Sequence, residues 1–124
     1  LSASSPFLDG SPTGFHSQRW IQFPKTPKKV PLFQRRIISV CRLYGKPIYV
    51  ATNFLESMVK LKAPNRAEVN DVVSTILMGA DGLVLAAETA VGEYPLESVK
   101  VIRSLCDFCK KWTPNTSIDE ILEM

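Results

Sequence analysis

Between Leu32 and Tyr44 the apolar residues Leu32, Phe33, Ile37, Val40, Cys41 and Tyr44 recur at helical spacing. Arg35, Arg36 and Arg42 stand largely outside that stripe, as an amphipathic helix requires. Pro31 suits the first turn of such a helix and Gly45 its C-terminal cap. The period then changes. Ile48-Tyr49-Val50-Ala51-Thr52 is short, apolar and partly β-branched, which predicts a buried strand. Residues 53–67 read as a connection with a helical turn or two. "AEVNDVVSTILMGA" predicts the next helix, with Val69, Val72, Val73, Ile76 and Leu77 inward and Glu68 and Asp71 early, where negative charge complements the helix dipole. Met78 to Gly82 turns the chain into a second apolar run, Leu83 to Ala87. Pro95 opens a last long helix carrying Leu96, Val99, Ile102, Leu105, Cys106 and Cys109 on one side. Thr113-Pro114 ends it, and "SIDEILEM" can add one short amphipathic turn.

The order helix, strand, helix, strand, helix predicts two adjacent parallel strands joined by a right-handed crossover. The expected class is α/β with about two parallel strands and three main helices. Two strands cannot close such an architecture, so the pattern reads as part of a larger barrel or doubly wound sheet. Five of the nine prolines fall in residues 1–31, and no lasting period of 2 or 3.6 is found there. That segment is read as an irregular Pro-rich basic arm offering no third strand. The expected partition is an arm at 1–31, a β/α segment at 32–113 and a short tail at 114–124.

Composition narrows the function classes. A chain of 124 residues, 45% hydrophobic and 22% charged, fits one soluble globular domain. No apolar run is long enough for a bilayer, and no signal-peptide core is seen near the N-terminus. The first residue is Leu1 rather than Met, which reads as a fragment or a processed form. The net charge of +3 divides unevenly: eight basic residues and one acid in 1–50 give +7, whereas seven basic and eleven acidic residues in 51–124 give −4. Without a nucleic-acid motif or interleaved aromatics, this asymmetry is read as a solvated basic tail and helix face, and nucleic acid is not the expected partner. Three cysteines are an odd count that argues against a disulfide framework and for a reducing, cytoplasmic setting. Cys106 and Cys109 form a CxxC inside a helix. The sole histidine, His16, is remote, so no zinc set is expected.

In parallel β/α architectures functional residues stand at the C-terminal ends of strands. The first strand here ends in Thr52-Asn53 and the second in Glu88-Thr89. From the pattern alone, those residues serve equally well as helix caps and a solvated charge, or as members of a site on one shared rim.

The segment from Lys46 to Val99 resembles the last two β/α units of the pyruvate kinase barrel. The resemblance rests on Lys46-Pro47, Ala51-Thr52, Leu55-Glu56-Ser57-Met58, Pro64-Asn65-Arg66-Ala67-Glu68, Asp71-Val72, Gly79-Ala80-Asp81, Leu85, Glu88-Thr89, Gly92 and Tyr94-Pro95, in order and at matching spacing. It covers about residues 30–112, and residues 1–29 do not share it. It implies part of a (β/α)8 barrel and phosphoryl transfer from phosphoenolpyruvate to ADP with Mg2+ and K+. By the same resemblance Thr52 is the substrate-side threonine, near the pyruvate or enolate moiety. Asn53, in a place where Gln is frequent, lies on the rim with Glu88 and Thr89. Arg66 and Glu68 belong to a loop supporting the barrel top and subunit contacts, with a structural ion pair as their simpler role, so a homo-oligomer through residues 64–68 is implied.

The family's catalytic lysine and metal-binding carboxylates have no counterpart here. Asp9-Gly10 is a poor match for the second metal carboxylate and takes no metal role. Ala86 and Ala87 stand where the family often has a serine. The 124-residue chain alone is therefore expected to show no phosphotransfer. The alternative is a non-catalytic β/α interaction module.

Overall fold

The computed structural model describes residues 2–5, 19–22 and 28–124. Strand β1 (Ser2–Ser5) and strand β2 (Arg19–Gln22) precede helix α1 (Val30–Leu43) and strand β3 (Tyr49–Ala51). A short 3-10 turn (Glu56–Val59) leads to helix α2 (Arg66–Leu77), strand β4 (Gly82–Val84) and the one-turn helix α3 (Ala87–Ala90). Helices α4 (Pro95–Lys111) and α5 (Ile118–Glu123) complete the chain.

Strands β3 and β4 pair in parallel, with Tyr49 opposite Gly82, Val50 opposite Leu83 and Ala51 opposite Val84. The parallel β/α grammar read from the sequence is thus present. Asp81 fixes the start of the pairing from outside the ladder. Its Oδ2 accepts from Ile48 N–H at 2.8 Å, and its own N–H donates to Ile48 O at 2.9 Å.

The N-terminal segment differs from expectation. It contributes two four-residue strands, and the sheet runs β2-β1-β3-β4 with β1 antiparallel to both of its neighbours. Ser2-Ala3-Ser4-Ser5 carries no apolar alternation, so periodicity could not reveal it. It pairs through its backbone with an edge that β3 presents.

One face of the sheet carries the core. Ile48 and Val50 are fully buried and meet Ile38 and Cys41 of α1 and Val72 of α2, with Leu83, Leu85 and Ile102 packed around them. Phe54, Leu55 and Met58, from the loop after β3, complete the cluster. On the alternate positions Tyr49 and Val84 are 37% and 39% exposed. Among the described residues, helices therefore cover one face of the strands.

Local chemistry explains the helix ends. Asn65 and Glu68 form a reciprocal capping box at the start of α2, with Asn65 Oδ1 accepting from Glu68 N–H at 2.9 Å. Pro31 and Pro95 occupy the first turns of α1 and α4. Gly45 follows α1 in the left-handed region, φ 64°, as a chain leaving a helix sharply requires.

The helix stripes are rotated from their predicted settings. In α1, Leu32 and Tyr44 are exposed and the buried positions are Gln34, Ile38 and Cys41. In α4, Leu96 and Val99 are exposed and Ser98 is buried. In each case a polar residue sits inward because it finds an internal partner. Gln34 Nε2 donates to Thr75 Oγ1 at 3.2 Å across α1 and α2, and Ser98 Oγ donates to Tyr94 O at 2.8 Å. Strand β4 also stops earlier than the apolar run: Ala87 opens α3 rather than ending the strand.

Candidate active-site rim

The parallel register carries the C-terminal ends of β3 and β4 to one side of the molecule, where side chains from each loop hold the other. Asn53 Oδ1 accepts from Ala87 N–H at 3.4 Å. Glu88 reaches back across the same gap: Oε1 accepts from Leu55 N–H at 3.5 Å and Oε2 from Ala86 N–H at 3.2 Å. Glu88 is fully buried. The reading of Glu88 as a solvated rim charge is corrected, because its carboxylate is enclosed by the two loops it ties together. Thr89 Oγ1 donates to Ala86 O at 3.2 Å and closes the first turn of α3. Gly92 packs on this turn so tightly that a Cβ there would collide with the backbone carbonyl of Glu88. That close approach accounts for a glycine directly after Glu88-Thr89-Ala90-Val91.

Thr52 lines a cleft of about 400 Å3 between α1 and α2, together with Gln34, Arg35, Asn70, Asp71 and Ser74. Strand alternation places it on the side of Ile48 and Val50, toward the helices. Its carbonyl accepts from Phe54 N–H at 3.0 Å, turning the chain immediately after the strand. Thr52 and Glu88 thus share a rim, and the printed contacts of Glu88 run to Leu55 and Ala86 rather than to Thr52.

Glu68 organises the neighbouring loop. One oxygen accepts from Ser57 N–H at 2.7 Å; the other accepts from Ser57 Oγ and from Asn65 N–H at 3.0 Å. No ion pair joins Glu68 to Arg66 among the described residues. The expected ion pair is replaced by this set of neutral donors, of which Ser57 was not foreseen. Burial pushes the Glu68 carboxyl up, but the three donors outweigh it and hold the group below its ordinary value of 4.5. A carboxylate depressed in the folded state adds stability above its unfolded value, and that gain is lost as pH falls through the folded value. Ser57→Ala is expected to lower stability by about 1 kcal/mol at neutral pH, with a smaller deficit at pH 3. Urea unfolding at both pH values checks this; an equal deficit at the two contradicts it.

The donor set can be tested against the metal ions that the resemblance implies. Both oxygens of Glu88 are engaged by backbone N–H groups, and no group of three or more His, Cys, Asp or Glu is assembled among the described residues. These residues do not fit a divalent cation. Burial pushes the thiols of Cys106 and Cys109 above their ordinary value, opposite to the thiolate that redox chemistry uses.

Comparison with known proteins matches the segment bearing both strands. The family model described as "Pyruvate kinase, barrel domain" matches residues 21–99. The chain belongs to the pyruvate kinase family. A pyruvate kinase of Thermotoga maritima is 46% identical over 84 residues, covering 68% of this chain and 18% of that protein. A chloroplastic pyruvate kinase isozyme A of Ricinus communis is 39% identical over 97 residues, covering 78% of this chain and 17% of that protein. A crystal structure of a pyruvate kinase from Cryptosporidium parvum superposes with a TM-score of 0.70 at 38% identity, over 72% of this chain and 18% of that one. The chain thus spans under a fifth of the length of these pyruvate kinases. A second family model, glutamate-cysteine ligase family 2, matches residues 1–37. Among the described residues no helix is long and apolar enough to cross a membrane.

Proposed function

We propose that residues 46–95 are the closing β/α units of a pyruvate kinase barrel, serving phosphoryl transfer from phosphoenolpyruvate to ADP in the cytoplasm. One observation carries this reading: the Ala51-Thr52 and Glu88-Thr89 motifs leave parallel neighbouring strands on the same rim. In this reading Thr52 offers its hydroxyl to the enolate side of the substrate. Asn53 and Glu88 hold the two loops at fixed separation, so Thr52 stays in place while the substrate turns over. Arg66 and Glu68 shape the adjoining loop, where residues 64–68 would meet another subunit. Mg2+ and K+, the family's ions, would neutralise the moving phosphoryl charge through ligands supplied elsewhere in a complete barrel. The 124-residue chain by itself transfers no phosphoryl group, because a barrel of about 250 residues is needed to assemble the site. A lactate-dehydrogenase-coupled assay on the purified chain should stay at background with and without Mg2+; Mg2+-dependent pyruvate formation contradicts that.

The role of Thr52 is tested in an active background. Residues 46–95 are exchanged for the matching segment of the Thermotoga maritima enzyme, and Thr52→Val is made in the chimera. Phosphotransfer should survive the exchange, and the substitution should lower kcat/KM by about 10- to 100-fold. An unchanged value removes Thr52 from the substrate site.

A further inference from the structure

Cys106 and Cys109 have no part in the rim. They lie one turn apart in α4, and both are free and half-buried. Residues three apart on a helix are surface neighbours, with Cβ atoms about 5–6 Å from each other. Burial holds the Cys109 thiol above its ordinary value and the neighbouring Cys106 adds to that rise, so the two sulfurs sense each other. Cys41, the third cysteine, is enclosed in the core cluster.

The surroundings narrow what such a pair can hold. Cys109 lines an apolar cleft of about 470 Å3 with Leu105, Phe108 and Trp112, so a ligand reaches it without crossing the core. Among the described residues no group of three or more His, Cys, Asp or Glu is assembled. Zinc, which takes four such ligands in a structural site, is therefore not served, and cations that seek oxygen are not served by sulfur. Cu(I) is a soft ion that selects thiolates, and two of them in line satisfy it. Two metal–thiolate bonds of about 2.3 Å each, the length found with zinc, bridge about 4.6 Å. Thiols one turn apart reach that separation by rotation about χ1.

We propose that Cys106 and Cys109 form a two-thiolate site for Cu(I) on α4. Two S–H bonds break and two S–Cu bonds form; both protons pass to solvent, and the copper stays in its +1 state. The raised thiols do not oppose this, because a coordinated ion displaces the proton itself. The product carries one negative charge. Burial and Asp107 raise the Cys106 thiol, while Lys110, one turn beyond it, pulls the other way and supplies positive charge. The contact of Lys110 with Asp107 is 3.9 Å long and exposed, a weak pair that the lysine can leave. The site stands apart from Thr52, so it holds whether or not the phosphotransfer reading does.

Competition for copper on the full chain tests this. With Cu(I) supplied as its bicinchoninate complex, in ascorbate and without oxygen, the native chain should withdraw one equivalent. Cys106→Ser and Cys109→Ser should each weaken binding by roughly 100-fold or more, beyond what loss of an outer-shell partner costs. The variant Cys106→Ser/Asp107→Cys keeps three thiols but sets the pair two residues apart, on different faces of the helix. It should bind as weakly as the single variants. Asp107 is exposed, so the fold should be kept, and far-UV circular dichroism checks that. No copper withdrawn by the native chain overturns the proposal. So does native-like binding by Cys106→Ser/Asp107→Cys, which would mean that the ion takes any thiol it meets.

Discussion

Glu88→Ala is expected to lower the unfolding free energy by about 2–4 kcal/mol, out of proportion to the few atoms removed. The carboxylate is fully buried and accepts from Leu55 N–H and Ala86 N–H, which belong to loops following different strands. Alanine leaves both donors enclosed without an acceptor and opens a void between the loops. Glu88→Gln keeps the volume and one acceptor oxygen, but turns an NH2 toward the other donor, so roughly half of that loss is expected. Urea titration separates the outcomes: the midpoint should fall for both variants at unchanged slope, further for alanine. Equal midpoints for wild type and Glu88→Ala would mean that the carboxylate does not tie the loops.

Phe54→Ala is expected to cost about 3–5 kcal/mol, the largest loss among single core truncations here. Phe54 is 1% exposed and heads the fully buried side chains by volume. It sits two residues beyond Thr52, so its ring fixes where the chain leaves β3. The aromatic-sized cavity cannot be refilled by the short loop, because Leu55 and Met58 are already fully buried on the same cluster. With a total stability of about 5–15 kcal/mol typical for a domain, the variant should be substantially unfolded on mild heating. Differential scanning calorimetry checks this, and a melting temperature within a degree or two of wild type contradicts it.

These two residues also show what the sequence could reveal. Ile48-Tyr49-Val50-Ala51 and Leu83-Val84-Leu85 are apolar on successive positions, which marks strands of a parallel sheet, and their pairing follows from the helix between them. Asn65 and Glu68 stand at capping-box spacing and start α2 at Arg66, one residue before the helix read from the apolar period at Ala67. The rim was legible as a position, since Thr52-Asn53 and Glu88-Thr89 both end apolar runs. The burial of Glu88 was not legible. A carboxylate after a strand is usually solvated, and Glu88 is enclosed by tertiary packing, with the 3-10 turn at Glu56–Val59 and helix α4 both against α3. Gly92 gave a trace of this, being small where the chain must pass Glu88 O. Nor did the sequence show that Gln34 faces inward, because its partner Thr75 lies 41 residues away on another helix. Strands β1 and β2 escaped detection for a related reason: Ser2–Ser5 is placed by a backbone edge that β3 offers, and no pattern of its own side chains records that.

The shared rim depends on the side-by-side, same-direction course of β3 and β4. Inter-strand nuclear Overhauser contacts in the uniformly labelled full chain test it directly. The parallel register predicts amide-to-Hα contacts linking residues 49–51 with 82–84 in ascending order on both strands, together with contacts from Leu55 H–N to the side chain of Glu88. Close Hα–Hα contacts running in descending order, or sequential amide contacts typical of helix through either segment, would contradict it.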